Sequence, residues 1–137
     1  MLELDPEFAS RAKKRLQEED VIWFTTVNPR GIPSSNPVWF YWDGEFIIVF
    51  SQPGSYRVRN IRSNPNVSLH LQGVDGLGNN VIIINGTASL KPGNSTIPSG
   101  YWDKYTKFLP GSNLTAEEML RDYSVEIRVK PLRIRGA

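Results

Sequence analysis

The sequence predicts a mainly β chain with short helices, folded as a closed or nearly closed antiparallel barrel under helical lids. Two observations carry this. About six short runs rich in β-branched and aromatic residues are each bounded by Gly, Pro, Asn or Asp. The stretches with helical period are brief and lie between or outside those runs. At 137 residues, the chain is expected to be one domain spanning 1–137, enough for a single core.

In order, Asp5-Pro6 is an N-cap followed by proline at the first helical position. Phe8, Ala12 and Leu16 then recur at helical spacing, so an amphipathic helix runs to about Asp20. From Val21 the pattern VIWFTTV reads as a strand, and Asn28-Pro29-Arg30-Gly31 fits a type I turn. A second strand over residues 33–42 closes at Asp43-Gly44, a two-residue hairpin signal, and a third follows over 45–51, completing a three-strand meander. Strands four and five are expected over 67–73 and 81–90, with a Gly- and Asn-rich loop over 74–80 between them. A loop over 92–100, an aromatic helix over 101–109 and a helix capped by Thr115 come next. The last strand spans 123–129 and is followed by Pro131 and the basic end RIRGA.

The second strand has no wet face. Trp39 and Tyr41 point one way, and Val38, Phe40 and Trp42 the other. A partner subunit or a flat ligand is expected over the second face, the alternative being a roof made by the N-terminal helix.

Residues 50–65, FSQPGSYRVRNIRSNP, are the other anomaly. The span 46–74 contains no Asp or Glu. Ser55 reads as an N-cap, which places Arg57 and Arg59 in a first helical turn already positive from its free N–H groups. A bound anion such as a phosphate resolves that conflict. The plain alternative is a short solvated basic helix.

Composition narrows the chemistry. Zero cysteines exclude disulfides, thiolate catalysis and iron–sulfur clusters, and one histidine offers no metal pair, so no metal site is expected. A net charge of +2 suits one anionic ligand better than a nucleic-acid coat. No apolar run approaches membrane-spanning length and the N-terminus has no signal core, so a cytoplasmic protein without membrane contact is expected. GxSxG, P-loop and GxGxxG motifs are all missing. His70, inside strand four, reads as a polar core residue, with a place at a site entrance as the alternative. Any redox chemistry therefore belongs to a bound cofactor.

The series VIWFTTVNPRGIPSSNPVWFYWDG, FSQPGSYRVRNIRSNPNVSLHL and VIIINGTA resembles the flavin-binding split-barrel superfamily of pyridoxamine 5'-phosphate oxidase. Within it, the chain looks most like the branch that uses the deazaflavin coenzyme F420 in place of FMN. The resemblance implies a six-stranded split β-barrel acting as a homodimer on a small-molecule substrate, with a cofactor in each of two clefts between subunits. It places the phosphate on Arg57 and Arg59, with Asn60 beside them and Ser51, Gln52 and Ser55 lining the approach. The backbone of Asn36, Pro37, Val38 and Trp39 would lie along the tricyclic ring.

The implied activity is hydride transfer from reduced coenzyme F420 to an unsaturated small molecule, with no catalytic side chain assigned. The first alternative is an FMN-binding oxidoreductase. Others are a flavin binder that stores or protects its cofactor, and a nucleic-acid-binding barrel using Trp39, Tyr41 and the arginines as a platform. The Trp/Arg pattern that grips pyridoxal phosphate in the oxidase is missing near the C-terminus, so vitamin B6 oxidation is not expected.

Overall fold

The computed structural model describes residues 4–73, 80–91, 97–112 and 115–136. The loops expected over 74–80 and 92–100 fall largely outside them. The chain begins with α1 (Pro6–Glu18), capped by Asp5, whose carboxylate accepts the Phe8 N–H at 3.1 Å. Seven strands follow: β1 (Ile22–Val27), β2 (Pro33–Val38), β3 (Tyr41–Trp42), β4 (Ile47–Ser51), β5 (Asn66–Leu71), β6 (Ile82–Lys91) and β7 (Val125–Gly136). Helix α2 (Tyr56–Ser63) links β4 to β5, while α3 (Ser99–Tyr105), α4 (Leu109–Ser112) and α5 (Ala116–Asp122) lie between β6 and β7.

All seven strands form one antiparallel sheet in the order β2-β1-β5-β6-β7-β4-β3. Its two edges, β2 and β3, are separated in sequence only by Trp39 and Phe40. A few residues span at most about 3.5 Å each, so the sheet must curl until its edges nearly meet. The result is a split barrel.

This corrects the expected meander. The strand predicted over 33–42 breaks at Trp39-Phe40: its first half pairs with β1 and its second with β4, at opposite edges. The cause is a side chain. The Tyr105 hydroxyl accepts the Phe40 N–H at 2.8 Å and also lies 2.8 Å from the Phe40 carbonyl oxygen, keeping both groups from a ladder. The hairpin after Trp42 is present, but its loop is four residues long, because Asp43 accepts the N–H groups of Glu45 and Phe46 before Ile47 opens β4.

The barrel interior takes alternate residues of β1, β5, β6 and β7, including Ile22, Phe24, Leu69, Ile84 and Ile127, together with Phe40 from the junction between β2 and β3. Burying each large apolar side chain contributes about 1.5–3 kcal/mol. The residues between them face outward. His70 is one of these, half-buried and stacked at 6.0 Å on Trp23 rather than set in the core. The last strand runs past the expected end at 129 because its proline sits at a bulge. Gly86 pairs with Pro131 and Asn85 with Arg133, leaving Leu132 without a cross-strand partner.

The second face of the Trp39–Trp42 stretch is covered from within the chain. Trp39 stacks on Tyr105 at 4.6 Å and 12°, and Tyr41 packs so tightly on α3 that a Cβ at Gly100 would lie 2.5 Å from its ring. Here α3 does what was expected of a partner subunit or a flat ligand. No described helix is long and apolar enough to cross a membrane.

Candidate functional site: the first turn of α2

Strand β4 ends at the buried Ser51, and the turn Gln52-Pro53-Gly54 carries the chain to Ser55, whose N–H donates to the Gln52 carbonyl at 3.0 Å. Ser55 then caps α2, its hydroxyl accepting the Val58 N–H at 3.3 Å while lying 2.8 Å from the Ser51 hydroxyl. The Arg59 N–H donates to the Ser55 carbonyl at 3.2 Å. That leaves the amides of Tyr56 and Arg57 without an intrahelical acceptor, as the start of any helix must. No acidic residue occupies this turn.

Arg57 and Arg59 are the second and fourth residues of α2. Arg59 is exposed and Arg57 half-buried. The Arg57 guanidinium lies 5.3 Å from the centre of the Tyr56 ring, with Nη1 3.5 Å from the Tyr56 hydroxyl. Its Nε is buried and has no hydrogen-bond partner. A guanidinium N–H kept from water without an acceptor costs about 1–3 kcal/mol or more, so the group is poised for an anion. Arg62 sits in the last turn, where the helix dipole favours a cation.

The Tyr56 hydroxyl donates to Asn36 Oδ1 on β2, tying the start of α2 to that edge. Asn36 and Pro37 are exposed, and Val38 and Trp39 half-buried. Because β2 pairs only with β1, its other side presents backbone groups to whatever lies alongside, and Pro33 and Pro37 are tolerated there.

So the structure brings Asn36, Ser51, Ser55 and Arg57 together, with Gln52 exposed at the turn and Arg59 one residue pair along the helix. Asn60 is not among them. It is 7 % exposed and points into the barrel, donating through Nδ2 to Thr26 Oγ1 at 3.0 Å, which satisfies two buried polar groups. Trp39 offers backbone, while its ring is engaged by Tyr105 and Phe108. Tyr56, which no sequence signal singles out, is the link that joins the two halves of the site.

Two open grooves lie elsewhere. One of about 440 Å³ is lined by Glu18, Glu19, Asp20, Val21, Trp23 and Gln72. The other, of about 380 Å³, lies between α1, β3 and α3 and includes Tyr41, Trp42 and Lys104. There the Lys104 ammonium donates to the Phe40 carbonyl at 3.1 Å and sits 3.7 Å from the Phe40 ring centre. Burial pushes its pKa down to about 8, against the opposing pull of Asp20. Neither groove reaches α2. Among the described residues no cluster of His, Asp and Glu could hold a metal ion.

The family described as pyridoxamine 5'-phosphate oxidase matches residues 8–136. The chain belongs to this family. Solved structures with the family's split barrel agree in fold. An F420 reductase is 25% identical, covering 90% of this chain and 94% of its own, with a TM-score of 0.68. A heme storage protein from Vibrio cholerae is 16% identical over 98% of this chain and 95% of its own, at 0.69. A FAD-binding protein from Mesorhizobium loti is 18% identical over 92% and 89%, at 0.67. Among curated proteins no sequence matches. The same fold thus carries proteins described by different bound groups, and the choice among them falls to the residues of the site.

Proposed function

We propose that this chain is a coenzyme F420-dependent reductase that passes a hydride to an unsaturated small molecule. The observation that carries the reading is the acid-free first turn of α2, where Arg57 and Arg59 stand beside open amides and Arg57 Nε is buried without a partner. That donor set fits a phosphate, which both F420 and FMN carry. The likeness to an F420 reductase, 25% identical over most of both chains, favours the deazaflavin.

In this reading Arg57 and Arg59 grip the phosphate with charge-assisted hydrogen bonds, and the Tyr56 and Arg57 amides complete the cradle. Tyr56 holds Asn36, and with it the β2 edge, in register with that anchor. The backbone from Asn36 to Trp39 orients the ring. Bound there, the deazaflavin supplies the hydride. The protein supplies position and electrostatics, and water delivers the proton. Along β2 the cofactor has a wall on one side only, so a second copy of the chain closes the cleft, and the working unit is a homodimer.

Nucleic-acid binding is the weaker reading, because the two rings it requires, Trp39 and Tyr41, are packed against α3. Titration of the purified protein with coenzyme F420 and with FMN, followed by ligand fluorescence, tests the proposal. Saturation at one F420 per chain supports it. Saturation by FMN alone replaces it with the FMN-dependent reading, and binding of neither overturns both.

A further inference from the structure

The groove between α1, β3 and α3 is rich in donors on its buried side. Its walls come from Leu16, Tyr41 and Trp42, while Gln17 and Asp103 are exposed. Trp42 Nε1 is buried with no hydrogen-bond partner. The half-buried Lys104 ammonium has three N–H groups to place and, among the described residues, one acceptor, the Phe40 carbonyl at 3.1 Å. It also lies 3.7 Å from the centre of the Phe40 ring and 5.3 Å from that of Tyr105. Among the described residues no carboxylate pairs with it, and Asp20 pairs with Lys107 instead, at 3.6 Å.

We propose that Lys104 is an acylation site, whose free amine attacks the carbonyl carbon of a small thioester seated in this groove. The N–C bond forms, the C–S bond breaks, and the thiol leaves with the proton that the nitrogen gives up. The product fits its surroundings better than an ammonium does. An amide has one N–H, which the Phe40 carbonyl accepts, and no charge to keep half-buried. Its carbonyl oxygen adds an acceptor to a wall of donors, and a short acyl chain gains apolar contact with Leu16, Tyr41 and Trp42. The groove, about 380 Å³, has room for the acyl group and the head of its thiol carrier.

The same burial favours the reactive form of the amine. It pushes the Lys104 pKa down to about 8, assisted by Lys107 and opposed by Asp20 and Glu19. Asp103 is the other charged group of α3 beside the groove, and β3 contributes only Tyr41 and Trp42. At pH 7.5 about a quarter of Lys104 is then neutral, against about one part in a thousand of an ordinary lysine. That is a gain of about 200-fold, of which the lower basicity takes back about tenfold in nucleophilicity on the slope that thiols follow. Glu19, Asp20 and Asp103 together repel an anionic reagent, which favours a thioester over an acyl phosphate. The site stands apart from α2 and does not rest on the proposed cofactor.

The test treats the folded protein with S-acetyl-N-acetylcysteamine, an uncharged thioester, from pH 7 to 9.5 and follows each lysine by peptide mass spectrometry. The exposed Lys107 is the internal reference. At pH 7.5 Lys104 should acetylate about tenfold faster than Lys107 or more, the net of the two opposing factors. Its rate should level off above about pH 9, where the amine is already neutral. In concentrated urea the groove is gone and the two lysines should react alike. Equal rates in the folded protein, a Lys104 rate still climbing steeply at pH 9.5, or a preference that survives in urea overturns the proposal.

Discussion

Tyr105 and Phe40 are 65 residues apart in sequence, yet the Tyr105 hydroxyl sits 2.8 Å from both the N–H nitrogen and the carbonyl oxygen of Phe40. The same hydroxyl lies 2.6 Å from the Asp20 carbonyl, so its single proton serves one acceptor while its lone pair takes the Phe40 amide. This contact breaks one predicted strand into the two edges of the barrel. It also pins the junction next to the β2 backbone that the proposed cofactor would lie along.

Tyr105→Phe removes the hydroxyl and strands the buried Phe40 N–H. The expected cost is about 1–3 kcal/mol, the penalty for an unsatisfied buried donor. Urea unfolding measures it, and a loss below about 0.5 kcal/mol would mean that the junction is held by packing alone.

Lys104 gives the fold a pH dependence of known sign. Its folded pKa is pushed down to about 8 from 10.5, so between those values the unfolded chain holds a proton that the folded one has lost. Stability therefore rises as pH climbs from about 8 toward 10.5 and falls as pH drops through 8. Because the ammonium is partly exposed, the gain is discounted to about 1 kcal/mol. Above pH 10 the raised pKa values of Tyr101 and Tyr105 act the other way, since the unfolded tyrosines ionise first. Chemical denaturation at pH 7.5, 8.5 and 9.5 should show the rise in wild type and its absence in Lys104→Met. Parallel profiles for the two proteins would contradict the assignment.

Gly86→Ala tests the bulge. A Cβ at Gly86 would lie 2.6 Å from the Lys130 carbonyl oxygen and 2.7 Å from Val129 Cγ1, and the first of these is backbone that cannot rotate away. A destabilisation of about 1–3 kcal/mol is expected from this overpacking, read as a lower midpoint of thermal unfolding. An unchanged midpoint would show that β7 can slide at Leu132.

Local features of the fold were legible in the sequence because short-range hydrogen bonds make them. Asp5, Ser55 and Thr115 cap helices as their positions suggest. Asn28 closes its turn by accepting the Gly31 N–H at 2.9 Å, with glycine at φ 80° where a side chain would be strained. What could not be read was decided at long range. The split of the second strand depends on Tyr105, and the cover over Trp39 and Tyr41 on an aromatic helix about 60 residues downstream. Asn60 turns inward to meet Thr26 across 34 residues. His70 was within reach, since Ser68 and Gln72 share its side of β5 while Val67, Leu69 and Leu71 fill the core. At the site, the cap and the acid-free turn marked the two arginines; Tyr56 carried no mark, because its role rests on Asn36 across the barrel opening.

The central claim is that Arg57 and Arg59 hold a cofactor phosphate, and calorimetric titration of coenzyme F420 into the alanine variants tests it most directly. Each charge-assisted contact contributes about 1.5–3 kcal/mol, so Arg57→Ala and Arg59→Ala should each weaken binding by about 10- to 150-fold. Arg62→Ala, at the far end of α2, should bind like wild type. Stability without ligand should hold or rise slightly in both first-turn variants, because each removed cation opposes the helix dipole. Wild-type affinity in both first-turn variants would contradict the claim and leave α2 a solvated basic helix.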